Sequence, residues 1–410
     1  MRNGHVGDSL TVPGTFNGSG ASTLGVDVGT ATADKLIVGG AATGSTSVVA
    51  TGLNGGFING AVVVDAGAGT SAGAFTLANG GTRGLVDYSL VYNPGANDFA
   101  IYGLPGQGAV SPLLTIDGAR QLAYRSNDAV SSHLEGVRTG KAFWMDAYGL
   151  VDQRKGSYST TAFGQPVTYS LNNRQDFFGV QAGADLLGTD TGTAAGITAG
   201  YGSSQLNVAA GAARIRYDSF NVGIYGRAVA GPIRIEGLAK YEHVKARYGD
   251  VFVGVSDRSS ADGFGGYVKA SAAFGSDRLT VAPFVSLDYS NLDWKGLDLG
   301  TATVDFDAAD GLRGKAGARF DTVVADGPSR ISLYASGAYV HEFKGRDRMT
   351  LNGGGYSFAF RLPSVPDYGQ AKLGVAINQG GKVSGFIEAQ GDFSKSYKGG
   401  GARAGLSLLF

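Results

Sequence analysis

Beyond residue 141, apolar and polar positions alternate with period two, and several segments sort into two faces. In the segment 232–242, Ile233, Ile235, Gly237, Ala239 and Tyr241 share one face, while Arg234, Glu236, Lys240 and Glu242 share the other. Residues 312–320 set Leu312, Gly314, Ala316, Ala318 and Phe320 against Arg313, Lys315 and Arg319. Residues 279–289 gather Leu279, Val281, Pro283, Val285, Leu287 and Tyr289 on one side, with Pro283 withholding one ladder donor. The last stretch opposes Arg403 and Ser407 to a stripe of Ala402, Ala404, Leu406, Leu408 and Phe410. Such segments predict strands, and a soluble sandwich rarely turns so many charges inward.

The connections separate the alternatives. Tight links are predicted near 188–192, 229–232, 275–278 and 379–382, and longer ones near 155–172, 249–261, 291–309 and 344–366. Short turns on one side and long loops on the other, with about twelve strands, are the pattern of a membrane barrel. Tyr201, Tyr241, Phe274, Tyr289, Phe320 and Phe343 stand near predicted strand ends, where interfacial aromatic girdles form.

The first third has a different rhythm. Between residues 7 and 104, short runs (Leu10-Thr11-Val12, Leu24-Gly25-Val26, Leu36-Ile37-Val38, Val48-Val49, Val62-Val63-Val64 and Phe75-Thr76-Leu77) are separated by Gly, Asn, Asp, Ser and Thr. Their onsets fall every 12 to 14 residues or so, too short for helices and suited to the stacked strands of a right-handed parallel β-helix. Such a stack leaves an unfinished apolar end that needs a cap, and 62–104 is the candidate. From 118 to 139 Ala119, Leu122, Val130, Leu134 and Val137 recur at helical spacing, with a gap near Ser126 and Gly140 as the expected C-cap. About 22 residues at ~1.5 Å each make roughly 33 Å, a bilayer's hydrocarbon thickness. An ordinary interdomain helix would look similar; its place directly ahead of the barrel pattern at Phe143-Trp144 favours a helix threading the pore.

Composition narrows the classes. The chain has 69 Gly, 19 Tyr and 21 Phe in 410 residues, only 17% charged residues and zero net charge, so no basic field recruits nucleic acid. With no cysteine, thiolate metal sites, disulfides and cysteine nucleophiles are excluded. No apolar run is long enough for a transmembrane helix, which says nothing against a barrel. Met1-Arg2-Asn3-Gly4-His5 lacks the apolar core of a secretory signal, so the chain is expected to be a fragment without its true N-terminus.

Several segments resemble a known family. Asp176-Phe177-Phe178-Gly179-Val180-Gln181-Ala182-Gly183-Ala184-Asp185 resembles the second strand of the autotransporter β-domain, and Tyr217-Asp218-Ser219-Phe220-Asn221-Val222-Gly223-Ile224-Tyr225 the fourth. Val340-His341-Glu342-Phe343 and Ala402-Arg403-Ala404-Gly405-Leu406-Ser407-Leu408-Leu409-Phe410 resemble later strands, so the likeness spans 143–410. Lys269 departs from it, standing where members often carry an acidic residue. Val62-Val63-Val64-Asp65, Phe75-Thr76-Leu77, Gly84 to Leu90 and Phe99 to Leu104 resemble the pertactin-like cap that closes autotransporter passengers.

The resemblance implies an all-β chain: a twelve-stranded antiparallel transmembrane barrel with a lumen-spanning helix, preceded by a short parallel β-helix. The implied division is passenger end with cap at 1–105, linker at 106–140 and translocator barrel at 141–410. It implies a bacterial outer-membrane location with the passenger at the cell surface. Lipid, barrel-assembly machinery and periplasmic chaperones are the implied partners of a monomeric barrel. Arg234, Glu236, Lys240, Glu242, Arg313, Lys315, Arg319 and Asp185 are expected in the lumen. Leu122, Asn127, Asp128 and Leu134 are expected in the linker, and Phe410, Leu408 and Leu406 as the assembly signal. A surface adhesin and a porin-like channel stand as alternatives.

Two motifs suggest chemistry. Gly7-Asp8-Ser9-Leu10 spells a lipase nucleophile motif, but no apolar strand precedes Ser9 and no His follows an Asp at the required spacing, so a β-helix rung is the better reading. Asn127-Asp128 lies mid-linker, where some relatives release their passenger by Asn cyclisation; a solvated helix face is preferred, and no enzyme is expected. His5, His133, His243 and His341 show no metal-ligand spacing, and neither metal nor cofactor is expected.

Overall fold

A computed structural model describes residues 1–136, 140–189, 191–208, 213–251, 253–276, 278–307, 309–379 and 382–410. Twelve long strands make up its larger part: β1 (Ala142–Arg154), β2 (Asn173–Gly188), β3 (Ala194–Val208), β4 (Ala213–Ala230), β5 (Ile233–Asp250) and β6 (Val255–Ala272), followed by β7 (Leu279–Trp294), β8 (Ala309–Asp326), β9 (Ser329–Lys344), β10 (Tyr368–Gln379), β11 (Val383–Phe393) and β12 (Tyr397–Leu409). Each pairs antiparallel with its chain neighbours, and β12 returns to β1, from Ala142 opposite Leu409 to Arg154 opposite Tyr397. The sheet is closed, so no backbone edge faces lipid, the condition for strands to span a membrane.

Alternation sorts the side chains as the sequence predicts. Phe264 and Ile224 point outward, 70% and 65% exposed, while Glu236, Lys240 and Glu242 on the strand between them, and Arg313 on β8, are buried inward. Such an inversion of a soluble protein fits a hydrocarbon exterior. Pro283 falls where its missing donor matters least: the β6–β7 ladder lapses between the Ser271–Phe284 pair and the Phe274–Val281 pair.

Strand ends differ from expectation at one place. The link after β5 is only 251–254, not a long loop over 249–261, because β5 and β6 remain paired up to Asp250 opposite Val255. Polarity there marks the strands leaving lipid, not leaving the sheet. The links 155–172, 295–308 and 345–367 are long and carry their own hairpins, whereas 231–232 and 327–328 are tight turns. The tight links expected at 188–192, 275–278 and 379–382 include residues 190, 277, 380 and 381, which lie outside the described residues.

A helix lies inside the barrel. One turn (Gln107–Val110) and a 3-10 turn (Ser111–Leu113) lead into α1 (Leu114–Glu135). Its 22 residues match the expected length, but it starts and stops four residues earlier than predicted, and Gly136 takes the C-cap position instead of Gly140. Val137, counted in the predicted helical pattern, lies outside the described residues.

The first hundred residues wind as a three-sided coil of parallel strands. Ser9–Val12, Lys35–Val38 and Ile58–Asp65 stack on one side, Phe16–Gly18 and Ala42–Gly44 on a second, and Thr23–Asp27, Thr46–Thr51 and Phe75–Leu77 on the third. Ser9 stands beside Lys35 and Phe16 beside Ala42, a turn of about 26 residues. The apolar runs in the sequence thus mark the first and third sides of each turn; the second side carries Asn17-Gly18 and Thr43-Gly44, which have no such run. Gly7-Asp8-Ser9-Leu10 opens the first coil strand, and the backbone amides of Gly7 and Asp8 both donate to Asp34 at 3.0 Å. The parallel stack ends when Asp98–Pro105 adds antiparallel to Ile58–Asp65, with Val86–Asn93 and Gly81–Arg83 beyond it.

Candidate functional site

A helix in a lipid-embedded barrel has two walls to satisfy: its own backbone bonds, which a helix supplies, and its side chains, which only the lumen can partner. All but Ser131 and Glu135 of the residues of α1 are buried. The wall comes close at glycines. A Cβ on Gly202 would stand 3.0 Å from Leu122 Cδ1, and one on Gly311 only 2.1 Å from Arg120 Cδ.

The charged residues of α1 meet the wall level by level. At the loop end Arg120 makes a two-pronged contact with Asp347 (2.6 and 2.7 Å), while Asp117 meets Arg154. One turn on, Tyr124 Oη donates to Glu342 at 2.9 Å, and Arg125 donates to Asp152 at 2.7 Å and to Tyr397 Oη at 3.1 Å. Asp128 then pairs with Arg313 at 3.3 Å and with Lys315. Ser132 accepts from Arg403 at 2.8 Å, and His133 stacks on Trp144 at 4.0 Å while its Nε2 lies 3.0 Å from Asp185. Glu135 closes the series between Lys269 and Arg319, each at 2.5 Å.

The expected lumen residues therefore face one space. Lys240 reaches the Ala123 carbonyl at 3.0 Å and Glu242 at the same distance, and Glu236 lies 3.1 Å from Lys269. Lys269, the departure from the family pattern, is the cation that Glu135 and Glu236 share. Arg234 stands apart from the helix and lines a small cavity of about 140 Å³ with Arg227, Glu236 and Arg319. Beside Glu135, toward the tight turns, the lumen widens into a vestibule of about 470 Å³ lined by Ser132, Arg319, Asp321, Arg330 and Asn378 among others.

In the linker Leu122 and Leu134 are buried, and Asn127 Nδ2 donates to the Gly266 carbonyl at 3.1 Å and to Asp288 at 3.3 Å. At the seam the Phe410 ring stacks on Phe143 at 4.6 Å, its amide donates to the Lys141 carbonyl at 3.0 Å, and Leu406 and Leu408 face outward beside it. Sequence reasoning missed Arg120, Tyr124 and Arg125 on α1, Asp152, Glu342 and Tyr397 on the wall, and Asp347 in the 345–367 link. Their signal is joint: charges recurring three to five residues apart on a helix that must sit in a barrel, and carboxylates at inward strand positions.

A closed twelve-stranded barrel whose lumen is filled by the helix leading into it is the architecture of an outer-membrane translocator. Residues 143–390 match the family model of the autotransporter β-domain, and the chain belongs to that family. The translocator domain of the autotransporter NalP from Neisseria meningitidis is similar in fold, with a TM-score of 0.56 at 18% identity over 72% of this chain and 98% of that one. The transport unit of the autotransporter AIDA-I from Escherichia coli aligns with a TM-score of 0.53 at 14% identity, over 70% of this chain and 99% of that one. The β-domain of the Bordetella autotransporter BrkA gives 0.50 at 15% identity, over 66% of this chain and all of that one (100%). No curated protein sequence matches the chain. The barrel resides in the outer membrane, where its apolar exterior meets lipid.

Charges taken out of water lose several kcal/mol each, and the attraction within a buried pair roughly offsets that loss. The network therefore adds little net stability but makes every wrong register of the helix costly. Replacing Arg125 by Leu leaves Asp152 buried without its partner and is expected to destabilise the helix-filled barrel by about 3–5 kcal/mol. The double variant Arg125→Leu/Asp152→Leu should recover most of that loss. Urea unfolding in detergent micelles measures both; equal losses in single and double variants would contradict the pairing.

Proposed function

We propose that the barrel delivers the coil ahead of it to the cell surface and is then sealed by its own linker. The carrying observation is the path of the chain. α1 runs from the loop end, where it continues the cap strand, to the tight-turn end, so the coil and the start of β1 lie on opposite sides of the lumen. The coil is read as the C-terminal end of a β-helical passenger. Its cap rests on the loops: Phe57 packs on Phe358 at 4.8 Å, Tyr169 Oη donates to the Pro105 carbonyl at 2.8 Å, and the Gln107 amide exchanges two bonds with Ser170 at 2.9 Å. Folding of the passenger outside would begin at this cap, since a parallel stack needs one finished end to grow from.

The seam supports a second part of the reading. Phe410, Leu408 and Leu406 sit on the strand that closes the barrel, and their outward placement suits recognition by the barrel-assembly machinery after periplasmic chaperones have held the chain unfolded. A porin needs an open lumen, and the ion-paired helix fills this one. Removing residues 1–135 takes a cylinder ~10–12 Å across out of the pore, so conductance in planar bilayers should rise on the order of tenfold. A barrel of unchanged heat-modifiable mobility with no rise would sink the plugged-pore reading.

The linker is proposed to stay intact. Cyclisation requires the Asn127 side-chain nitrogen to attack its own main-chain carbonyl carbon and expel the Asp128 nitrogen; Asp288 at 3.3 Å is placed to take the proton, but the nitrogen is turned outward to the wall, where it donates to the Gly266 carbonyl at 3.1 Å. Gel mobility of Asn127→Ala and of the parent should be identical and full-length; a shorter parent band that the substitution abolishes would establish cleavage.

A further inference from the structure

We infer that the outer wall over β4–β6 carries a binding site for the phosphate groups of outer-leaflet lipid. The inference begins with an aromatic belt. On adjacent strands Tyr201 pairs directly with Phe220, ring to ring at 5.0 Å, and Tyr241 with Phe264 at 5.6 Å. Below these rings the wall is apolar, with Val222, Ile224 and Ile235 facing outward. Above them the hydroxyl of Tyr201 donates to Asp218 at 2.7 Å and that of Tyr241 to Asp262 at 2.5 Å, which marks the edge of the hydrocarbon.

The next level up is cationic. Arg216 stands directly opposite Arg247, and Arg247 directly opposite Arg258, so three arginines lie side by side on three consecutive strands. Arg214 and Lys245 flank them, and all five side chains point outward and are exposed. Like charges directly opposed on a sheet destabilise it unless something neutralises them. The wall supplies little: Arg247 meets Asp218 at 2.8 Å, Arg216 and Arg214 reach only the amide oxygens of Gln205 and Asn207, and Arg258 and Lys245 have no ion pair among the described residues. The wall over β7–β10 is unlike it, mixing Asp293, Asp310 and Asp367 with His341 and Lys344.

Height and side select the ligand. Arg216 is four residues from Phe220, about 13 Å along a strand, or ~10 Å of height once the usual tilt is taken off. A headgroup layer extends roughly 5–8 Å past the hydrocarbon, and an arginine stem reaches back across the difference. The row lies at the loop end, where Val253 and Asp250 border Gly108 at the start of the linker, and so faces the outer leaflet. A guanidinium fork matches phosphate oxygens in pairs, and three in a row suit a lipid bearing more than one phosphate whose chains lie on the apolar wall beneath.

The test uses the full chain folded in a neutral detergent, with bisphosphorylated lipid A and the same lipid stripped of both phosphates as probes, read by native mass spectrometry. The parent should retain the phosphorylated lipid about tenfold better than the stripped one. The variant Arg216→Gln/Arg247→Gln/Arg258→Gln should lose that preference, while Lys344→Gln/Arg361→Gln/Lys398→Gln, with as many charges removed elsewhere, should keep it. Equal retention of both lipids by the parent overturns the inference whatever the variants do, and so does unchanged binding by the arginine variant. Displacement of the lipid by inorganic phosphate at a concentration no higher than that of the lipid would show a free-anion site to which the chains contribute nothing, and would also overturn it.

Discussion

The structure depends on one constraint: a helix dense in charge must lie at the centre of a barrel whose outside is hydrocarbon. Arg120, Arg125 and Asp128 are buried with no route to bulk water through the wall, so each must be met by a residue of opposite sign at its own height. That requirement dictates which inward strand positions carry Asp152, Arg313 and Lys269, with Asp347 supplied by the 345–367 link, and it leaves the outward positions free to be apolar. Backbone closure and side-chain pairing are thus separate conditions, the first set by lipid and the second by the helix.

The same constraint sets how the helix is held in the lumen. Ion pairs in the lumen contribute little net free energy against a solvated lumen, but misregister leaves charges alone and costs several kcal/mol. A linker held this way is specified in register more than it is glued. Glycines such as Gly202 and Gly311 add the close approach that side-chain-bearing residues at those positions would prevent. At the loop end the contacts of Phe57, Pro105 and Gln107 with the hairpin-bearing links continue this packing beyond the helix.

Much of this was legible in the residues. Period-two alternation marks the strands and their inward charges, three of the four long links are where the residues place them, and the helical spacing finds the helix with its ends four residues off. The failures are equally physical. Residues 249–261 look like a loop in their polarity, whereas β5 and β6 stay paired well past the lipid. The helical start at Gln107 was hidden by Gly106, Gly108 and Pro112, which read as breakers although Pro is well tolerated in a first helical turn. The second side of the coil was invisible because Phe16–Gly18 and Ala42–Gly44 offer one apolar residue each where the eye seeks runs. The partners of Arg120 and Arg125 lie more than 200 residues downstream at Asp347 and Asp392, or 27 residues on at Asp152, and no local pattern links them.

The register of the helix in the lumen is the central claim, and a chain without cysteine allows a direct measurement of it. A Cβ on Gly202 would lie 3.3 Å from Leu122 Cγ, close to the geometry a disulfide needs, so Leu122→Cys/Gly202→Cys should form an intramolecular bond in cells under mild oxidation. Thiol-blocking and gel mobility on isolated outer membranes report it, with Ser131→Cys/Gly202→Cys as the out-of-register control. Near-complete bonding in the first pair and none in the control is the result predicted here. Free thiols in the first pair, or bonding in both, would contradict a helix seated in this register.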